Sequence, residues 1–243
     1  KRNEGKLLKD LSHYLERGVT LGSSGEMLEK QTRIEKETTL EMALDKITCP
    51  KYVIFDFESD THTNIHKPNH VEVDVLKIDN EGTHEYDKCL LKSFGINGYD
   101  CAGKFCDWLF TKENRNSTVM AHNGAGYDNK FILQYCLNKG LAPSKFIRQG
   151  SRITHMSFRG YNIRFIDSYH FLSQPLKALP KTYGIDTLKG YFPHHFNKPE
   201  NQEYIGKIPN MNAFGVENMM PEDTETFKQW HSEQTGEQWD FRK

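Results

Sequence analysis

Two acidic residues separated by one position, Asp56 and Glu58, directly follow the apolar run at residues 52–55. In a β-strand, residues i and i+2 point to the same face, so both carboxylates would project from one face of a sheet. Carboxylate oxygens are the hard ligands that divalent cations such as Mg²⁺ prefer. The same spacing recurs elsewhere among the 33 Asp and Glu residues, so the pair indicates a metal site only if other residues converge on it.

Two further acids lie where elements of secondary structure should begin or end. Asp128, in HNGAGYDNKFIL, falls where a strand and a loop lead into a helix, so its carboxylate would lie near the N-terminal amides of that helix. Capping of the helix is the alternative role, because Asp is a favoured N-cap residue. Asp167, in RFIDSYHF, ends an apolar strand, where a carboxylate satisfied by local hydrogen bonds is the favoured interpretation.

Asp56, Glu58 and Asp128 together could do chemistry that none of them does alone. Hydrolysis of a phosphodiester by two divalent cations requires several hard oxygen ligands, which hold the ions about 4 Å apart across the scissile phosphate. Two acids on one strand and a third from a neighbouring helix start would supply such a cluster. The sequence therefore predicts that these three carboxylates converge at one end of a sheet.

The elements that must position these acids can be predicted from hydrophobic patterns after residue 50. Strands are predicted at KYVIFDF, HVEVDVLKI, HEYDKCLL and STVMAHN, with helices at DCAGKFCDWLF and after the glycine turn of GAGYDNKFILQYCLNKG. RITHMSF and YNIRFID form a predicted hairpin, and LPKTYG a short helix that starts at Pro180 and stops at Gly184. Loops are expected over residues 191–221. This order predicts an α/β domain with a mixed sheet flanked by helices.

Residues 1–48 are predicted to lie outside that domain. An apolar stripe at helical spacing over residues 5–17 predicts a short amphipathic helix, and a polar segment rich in Glu, Lys and Thr follows it. The predicted division is a helix and linker segment at residues 1–48 and one domain at residues 49–243.

Charge is distributed unevenly along the chain, although the formal net charge is only -1. Residues 51–128 contain eight Lys or Arg against thirteen Asp or Glu, whereas residues 129–196 contain ten against two. A basic segment after an acidic one fits a site where carboxylates hold cations while Lys and Arg attract phosphates. The alternative is a solvated basic surface without a partner.

The sequence has the character of an intracellular protein. No apolar run approaches the roughly 20 residues that a membrane helix needs, and no charged start followed by an apolar stretch resembles a signal peptide. Five cysteines, an odd number without a C-x-x-C pair, argue against a secreted disulfide framework. We therefore expect free thiols and no membrane partner, with nucleus, mitochondrion and viral factory all left open as the compartment.

Three separated motifs, FDFES, HNGAGYD and FIDSYHFLSQPLKALPKTYGIDTLKGYFPH, occur in the order and approximate spacing of a known family. They resemble the 3′-5′ exonuclease domain of protein-primed family B DNA polymerases, in the variety found in linear mitochondrial plasmids, viruses and self-synthesising transposons. The resemblance covers residues 51 to about 243 and is most characteristic in KGYFPHHFNKPENQEYIGKIP. It implies a ribonuclease H-like exonuclease fold, and three motifs that agree are more specific than any one of them.

The resemblance implies a role for ten residues of this chain. Asp56, Glu58 and Asp128 would be ligands of two Mg²⁺ or Mn²⁺ ions, and these acids together with Lys189 would form the catalytic set. The residues that would contact the 3′ end of single-stranded DNA are Ser59, Asn123, Tyr127, Ser168, Leu172 and Phe192.

Three of these assignments depend on details of the motifs. Tyr127 would stack on a base or sugar, as ring faces do without regard to sequence, and a half-buried aromatic at a helix start is the alternative. Ser168 and Leu172 resemble a Ser-Leu-x-x-hydrophobic motif, in which this chain carries Tyr169 instead of the leucine. Lys189 matches the lysine of a Lys-x-x-hydrophobic motif that lies near the metals and the scissile phosphate.

The family's third exonuclease motif, Tyr-x-x-x-Asp, is expected to follow residue 243, as is the polymerase region. That motif supplies a fourth carboxylate and the tyrosine that orients the attacking water. We interpret the chain as a fragment, the exonuclease portion of a DNA-directed DNA polymerase that proofreads during DNA replication, and expect it to be weak or inactive alone. Its expected partners are a single-stranded DNA 3′ end, the polymerase domain of the same chain and a terminal priming protein.

Two other functions fit the same residues. A single-stranded DNA-binding module without activity would keep Asn123, Tyr127 and the basic segment but lack the fourth acid. A ribonuclease H-like nuclease that acts on RNA would share the acids but should not carry KGYFPHHF.

Overall fold

A computed structural model of the protein describes residues 51–60, 62, 65–78, 84–85, 100–186 and 190–241. The predicted helix and linker at residues 1–48 and the predicted catalytic Lys189 lie outside these residues. No helix in the described part of the chain is long and apolar enough to cross a lipid bilayer.

Seven strands form one sheet. Their bounds are β1 (Lys51–Asp60), β2 (Lys67–Ile78), β3 (His84–Glu85), β4 (Ser117–Ala121), β5 (Lys145–Gln149), β6 (Arg152–Phe158) and β7 (Ile163–Asp167). The strand order is β3-β2-β1-β4-β7-β6-β5. β4 pairs in parallel with β1 and β7, whereas β6 pairs antiparallel with β7 and β5, and β2 antiparallel with β3. The sheet is therefore mixed, as predicted.

The described residues also form four α-helices, seven short 3₁₀ helices and a second small sheet. The helices are α1 (Cys101–Leu109), α2 (Asp128–Asn138), α3 (Leu179–Tyr183) and α4 (Pro221–Glu233), and the small sheet pairs β8 (Ile205–Gly206) with β9 (Trp239–Asp240). Proline near the start of α3 and Gly184, with φ 65°, at its end confirm the predicted helix there. The architecture confirms the α/β class and is compatible with a ribonuclease H-like fold. β5 and α4 were not predicted.

The chain divides into two compact units. Of the described residues, the first unit contains 51–57, 71–78, 84–85 and 102–173, and the second contains the remainder. β1 therefore passes from the first unit into the second between residues 57 and 58.

The core of the first unit is aromatic and determines where β1 points its side chains. Phe55 and Phe57 are buried, and their ring centroids lie 5.0 and 5.8 Å from that of Phe105 in α1. Burial of each such side chain contributes roughly 1.5–3 kcal/mol. Because side chains alternate along a strand, Asp56 lies on the opposite face, where it is exposed.

The second unit has its own aromatic core around α4. Phe227 is fully buried, and its ring centroid lies 5.0 Å from that of Tyr191 and 5.2 Å from that of Phe214. The buried His231 shares a hydrogen bond of 2.8 Å between Nε2 and the carbonyl oxygen of Pro209. These contacts attach the irregular segment before α4 to that helix.

Three cysteines among the described residues, Cys101, Cys106 and Cys136, are buried and form no disulfide bond. Burial raises the pKa of the Cys136 thiol far above its ordinary value, so this thiol is protonated at neutral pH. The prediction of free thiols is confirmed for these three residues.

Candidate active site

Asp128 is the first residue of α2, and its carboxylate reaches β1. Its Oδ1 accepts a hydrogen bond from the main-chain N–H of Phe57 at 3.1 Å. Phe57 directly follows Asp56, so the strand and the helix bring these two acids together. The N-cap position of α2 belongs to Tyr127, whose side chain makes no capping hydrogen bond. N-capping by Asp128, the alternative considered from the sequence, is therefore wrong.

The electrostatics of Asp128 agree with that placement. Burial first, and the nearby Asp56 carboxylate second, raise the pKa of Asp128 from about 3.8 to about 7, and Asp167 adds a smaller effect in the same direction. The N–H groups of Phe57 and of Asp128 itself act in the opposite direction. A like charge raises a pKa in this way only at short range, so Asp56 and Asp128 form a repelling pair.

The chemistry of this pair fits a divalent cation. Both residues offer carboxylate oxygens, and a cation would offset the repulsion between them. In the part of the chain that the structure describes, no group of three or more His, Cys, Asp or Glu side chains is arranged to hold a metal ion. Asp56 and Asp128 could hold one cation, with water completing most of its coordination sphere.

Glu58 and Ser59 continue β1 into the second unit. Strand alternation puts Glu58 on the same face as Asp56, and its Oε2 lies 3.7 Å from Nδ1 of His194. Ser59 points to the opposite, buried face, where its Oγ has no hydrogen-bond partner among the described groups. The role of Glu58 as a metal ligand and the DNA contact of Ser59 both stay predictions.

Asp167, at the end of β7, organises the loop between β4 and α2. It is buried, and its Oδ1 accepts hydrogen bonds from the main-chain N–H groups of Asn123 at 2.8 Å and Tyr169 at 2.9 Å. Its Oδ2 accepts a third, from Ala125 N–H at 3.1 Å. The interpretation of Asp167 as a carboxylate satisfied by local hydrogen bonds is confirmed.

Asn123 opens that loop in a conformation that few residues adopt. Its φ of 64° is in the left-handed region, where Asn is better tolerated than most residues. Its Oδ1 accepts a hydrogen bond from Nη2 of Arg152, on β6, at 2.8 Å. The next residue must be small, because a Cβ on Gly124 would lie 2.7 Å from the Cβ of Ala121. Two residues of the sheet thus hold Asn123: Arg152 binds its side-chain oxygen, and Asp167 accepts its main-chain N–H.

Tyr127 is half-buried directly before α2. Its ring packs edge to face against Phe131, one turn along the helix, with the centroids 5.0 Å apart. This position matches the alternative weighed from the sequence, a half-buried aromatic at a helix start. Stacking of Tyr127 on a base stays a prediction.

Ser168 ties the ends of two neighbouring parallel strands together. Its hydroxyl lies 2.9 Å from Nδ1 of His122 and 3.4 Å from the carbonyl oxygen of Ala121, at the end of β4. The ring of Tyr169 lies 5.7 Å from that of His122, and Tyr169 is 36% exposed. Leu172 is half-buried in the turn that follows. The DNA contacts predicted for Ser168 and Leu172 stay predictions.

Phe192 belongs to the second unit. Its ring centroid lies 5.1 Å from that of His194 and 5.8 Å from that of Phe241. The ring is half-buried. The DNA contact of Phe192 stays a prediction.

Sequence reasoning missed two residues of this region, His122 and Arg152. His122 directly precedes Asn123 in the motif HNGAGYD, so proximity was an available signal. Arg152 lies 29 residues from Asn123, and its only signal was membership of the basic segment 129–196. In the strand order only β7 separates β6, which carries Arg152, from β4, which leads into the loop of Asn123.

Comparison with known proteins gives one family and two relatives. The family described as "DNA polymerase type B, organellar and viral" matches residues 111–243. A "Probable DNA polymerase" of Podospora anserina is 35% identical over 85 residues, which cover 35% of this chain and 7% of that protein. A "DNA polymerase" of Kluyveromyces lactis is 26% identical over 182 residues, which cover 72% of this chain and 18% of that protein. The matched segments thus span less than a fifth of either relative.

Proposed function

Since the chain belongs to the DNA polymerases of type B, organellar and viral, we propose that it carries the proofreading 3′-5′ exonuclease of such an enzyme. In this proposal it binds the 3′ end of single-stranded DNA and hydrolyses the terminal phosphodiester during DNA replication. The polymerase domain of the same chain and a terminal priming protein would be its partners. One named relative is described as a DNA polymerase and the other as a probable DNA polymerase, which favours a DNA substrate over an RNA substrate.

The observation that carries the proposal is the juxtaposition of Asp56 and Asp128. A protein gains no stability from placing a buried carboxylate beside a second acid, as the raised pKa of Asp128 indicates. Such a pair is favourable when it holds a cation, and strongly perturbed acids are typical of functional sites. The hydrogen bond from Phe57 N–H fixes the direction of the Asp128 carboxylate.

Different residues of the chain would have different roles in hydrolysis. Asp56 and Asp128 would hold the cation, Asn123 would donate to the DNA strand, and Tyr127 would stack on a terminal base or sugar. A divalent cation supplies Lewis-acid stabilisation of the charge that develops on the phosphate and on the leaving 3′ oxygen. A mispaired end separates from its template more readily, so a site that accepts single strands would remove it selectively.

A second candidate function is single-stranded DNA binding without cleavage. The observation that favours it is the lack, among the described residues, of three or more ligand side chains grouped around one metal position. In this case the loop at Asn123 and the basic segment would bind DNA, with an affinity that falls as salt rises.

Digestion of a 5′-labelled single strand in Mg²⁺ or Mn²⁺ distinguishes these functions. We would compare the 243-residue chain with a version extended through the expected third motif, each with and without Asp56→Ala. The extended version should shorten the strand from its 3′ end, and Asp56→Ala should abolish this. The 243-residue chain should bind the strand and shorten it little.

Asp223→Ala is the matched control, because Asp223 is a partly exposed acid of α4 in the second unit, where it pairs with Lys177 at 2.7 Å. It should leave digestion unchanged. Binding without digestion by every version would select the second candidate function. Digestion that survives both Asp56→Ala and Asp128→Ala would contradict a site built on this pair.

A further inference from the structure

We propose that Arg152 positions Asn123 for DNA binding. Its guanidinium holds the amide oxygen of Asn123, so that the amide nitrogen is presented to acceptor oxygens of a single-stranded DNA 3′ end. The inference rests on the proposed function and deepens it, because it names the residue that sets the direction of one DNA contact.

The contact between the two side chains defines which end of the amide is available. Nη2 of Arg152 donates to Oδ1 of Asn123 at 2.8 Å. A guanidinium carries five N–H donors and no acceptor, so it can bind only the oxygen of an amide. Within the described part of the chain, Nδ2 of Asn123 donates to no protein group. The group left for a ligand is therefore a donor, which suits phosphate, sugar and base carbonyl oxygens.

Arg152 is itself held in place by a buried acid. Its Nη2 lies 3.5 Å from Oδ2 of Asp167, whose side chain is fully buried. The other carboxylate oxygen of Asp167 accepts the main-chain N–H of Asn123. One buried acid thus fixes both the backbone of Asn123 and the arginine that fixes its side chain.

The loop leaves room for the guanidinium at a glycine. A Cβ on Gly126 would lie 3.2 Å from Nη1 of Arg152, which is closer than most side-chain contacts allow. Arg152 stands at the start of β6, where it pairs with Gln149 across the hairpin. Arg152 therefore belongs to the sheet, whereas Asn123, the residue that it positions, lies on a loop.

Arginine suits this role better than lysine. Its planar fork can contact Asn123 and Asp167 from one nitrogen while Nη1 lies against Gly126. Lysine offers a single ammonium on a flexible stem, so it could keep the charge but would hold the amide less firmly. The side chain of Arg152 is 39% exposed but contacts the buried Asp167, so the melting temperature of each variant is measured to check that the fold is intact.

The test measures binding of a fluorescent single-stranded DNA to the 243-residue chain in a chelator. Arg152→Ala and Asn123→Ala should each weaken binding about tenfold, as expected for the loss of one hydrogen bond to a charged group. The double variant should bind no more weakly than Asn123→Ala, because Arg152 acts through Asn123. Arg152→Lys should recover part of the loss.

Two further variants separate positioning from simple charge. Asn123→Asp keeps an acceptor toward Arg152 but removes the donor, and should weaken binding at least as much as Asn123→Ala. Arg148→Ala removes an exposed charge from β5 of the same hairpin, so any loss of affinity should come with a smaller salt slope, as for a phosphate contact. Arg152→Ala should leave the slope of log affinity against log salt unchanged. A slope reduced by about one, with additive losses in the double variant, would show a direct phosphate contact and overturn the inference.

A measurement without DNA keeps this inference separate from the proposed function. In a ¹⁵N–¹H spectrum, Arg152→Ala should shift the side-chain amide signals of Asn123 and speed up their exchange with water, whereas Arg148→Ala should not. Unchanged Asn123 signals in Arg152→Ala would overturn the inference alone. Shifted signals with no DNA binding by the parent chain would overturn the proposed function and, with it, the DNA role of Arg152.

Discussion

The main-chain N–H of Phe57 donates to the carboxylate of Asp128 across 3.1 Å and so joins β1 to the first residue of α2. This bond fixes the Asp128 carboxylate at the residue that follows Asp56, although the two acids repel each other. Without a cation the arrangement costs stability, and in our proposal a bound cation would make it favourable. The first two predictions follow from that difference.

Replacing Asp128 by Asn should stabilise the metal-free protein above neutral pH. The folded pKa of about 7 exceeds the unfolded value near 3.8, so folding favours the protonated carboxyl group. This contribution is fully present below about pH 4 and is lost as the pH rises through about 7. Asn does not titrate and keeps an oxygen for Phe57 N–H. In urea denaturation with a chelator, the free energy of unfolding of the variant should exceed that of the parent by on the order of a few kcal/mol at about pH 8. At about pH 4.5 the two values should be nearly equal. A difference that does not change with pH would contradict this explanation.

Mg²⁺ or Mn²⁺ should raise the melting temperature of the parent chain but not of Asp56→Asn or Asp128→Asn. A ligand that binds only the folded state stabilises it by RT ln(1 + [L]/Kd). Two carboxylates make a weak site, so the rise should saturate only at roughly millimolar cation. Thermal denaturation followed by fluorescence measures the shift. Asp223→Asn, the surface control, should respond like the parent, and an equal response from all four proteins would place the cation elsewhere.

Asp167→Asn should destabilise the protein, because it removes the charge and replaces one acceptor oxygen by a donor NH2 group. Asn can still accept from Asn123 and Tyr169, but its amide nitrogen would then face the N–H of Ala125. A buried donor that meets another donor costs roughly 2–4 kcal/mol, since both groups lose their partners. Urea denaturation should show a lower midpoint with an unchanged slope. A loss below about 0.5 kcal/mol would mean that the loop does not depend on this acid.

Gly124→Ala should destabilise the protein by roughly 1–3 kcal/mol, because the new methyl group would overlap the side chain of Ala121 at the end of β4. Gly190→Ala is the control, since a Cβ there would meet no described atom within 4 Å and its φ is not left-handed. Thermal denaturation of both variants measures the difference. Equal melting temperatures would show that the loop can move away from β4 at little cost.

Much of the fold could be predicted because its signals are local. The apolar run that ends directly before Asp56 predicted β1, and a glycine turn followed by an apolar periodicity predicted α2. β5 gave no comparable signal, because most of its side chains are exposed and pairing with β6 holds it in the sheet. α4 carried a signal that was overlooked: Pro221 followed by two acids is typical of a helix start.

The candidate site was only partly predictable, for a physical reason. Motif spacing indicated the acids, and the parallel pairing of β1, β4 and β7 brings Asp56 and Asp128 to one end of the sheet. The hydrogen bonds of Asp167 span 44 and 42 residues of sequence. Partners at such distances depend on strand order, which single-sequence patterns do not specify.

The three N–H groups that converge on Asp167 also affect how inherited variation in this protein would be interpreted. Removal of the carboxylate, as in Asp167→Ala, would release Asn123, Ala125 and Tyr169 together, so in our proposal a genetic screen would record it as a defect in DNA binding. The allele would fall into one phenotypic class with changes at Asn123, although Asp167 touches no nucleotide in our proposal. Alleles that share this phenotype would therefore include residues that hold the loop in place as well as residues that contact DNA.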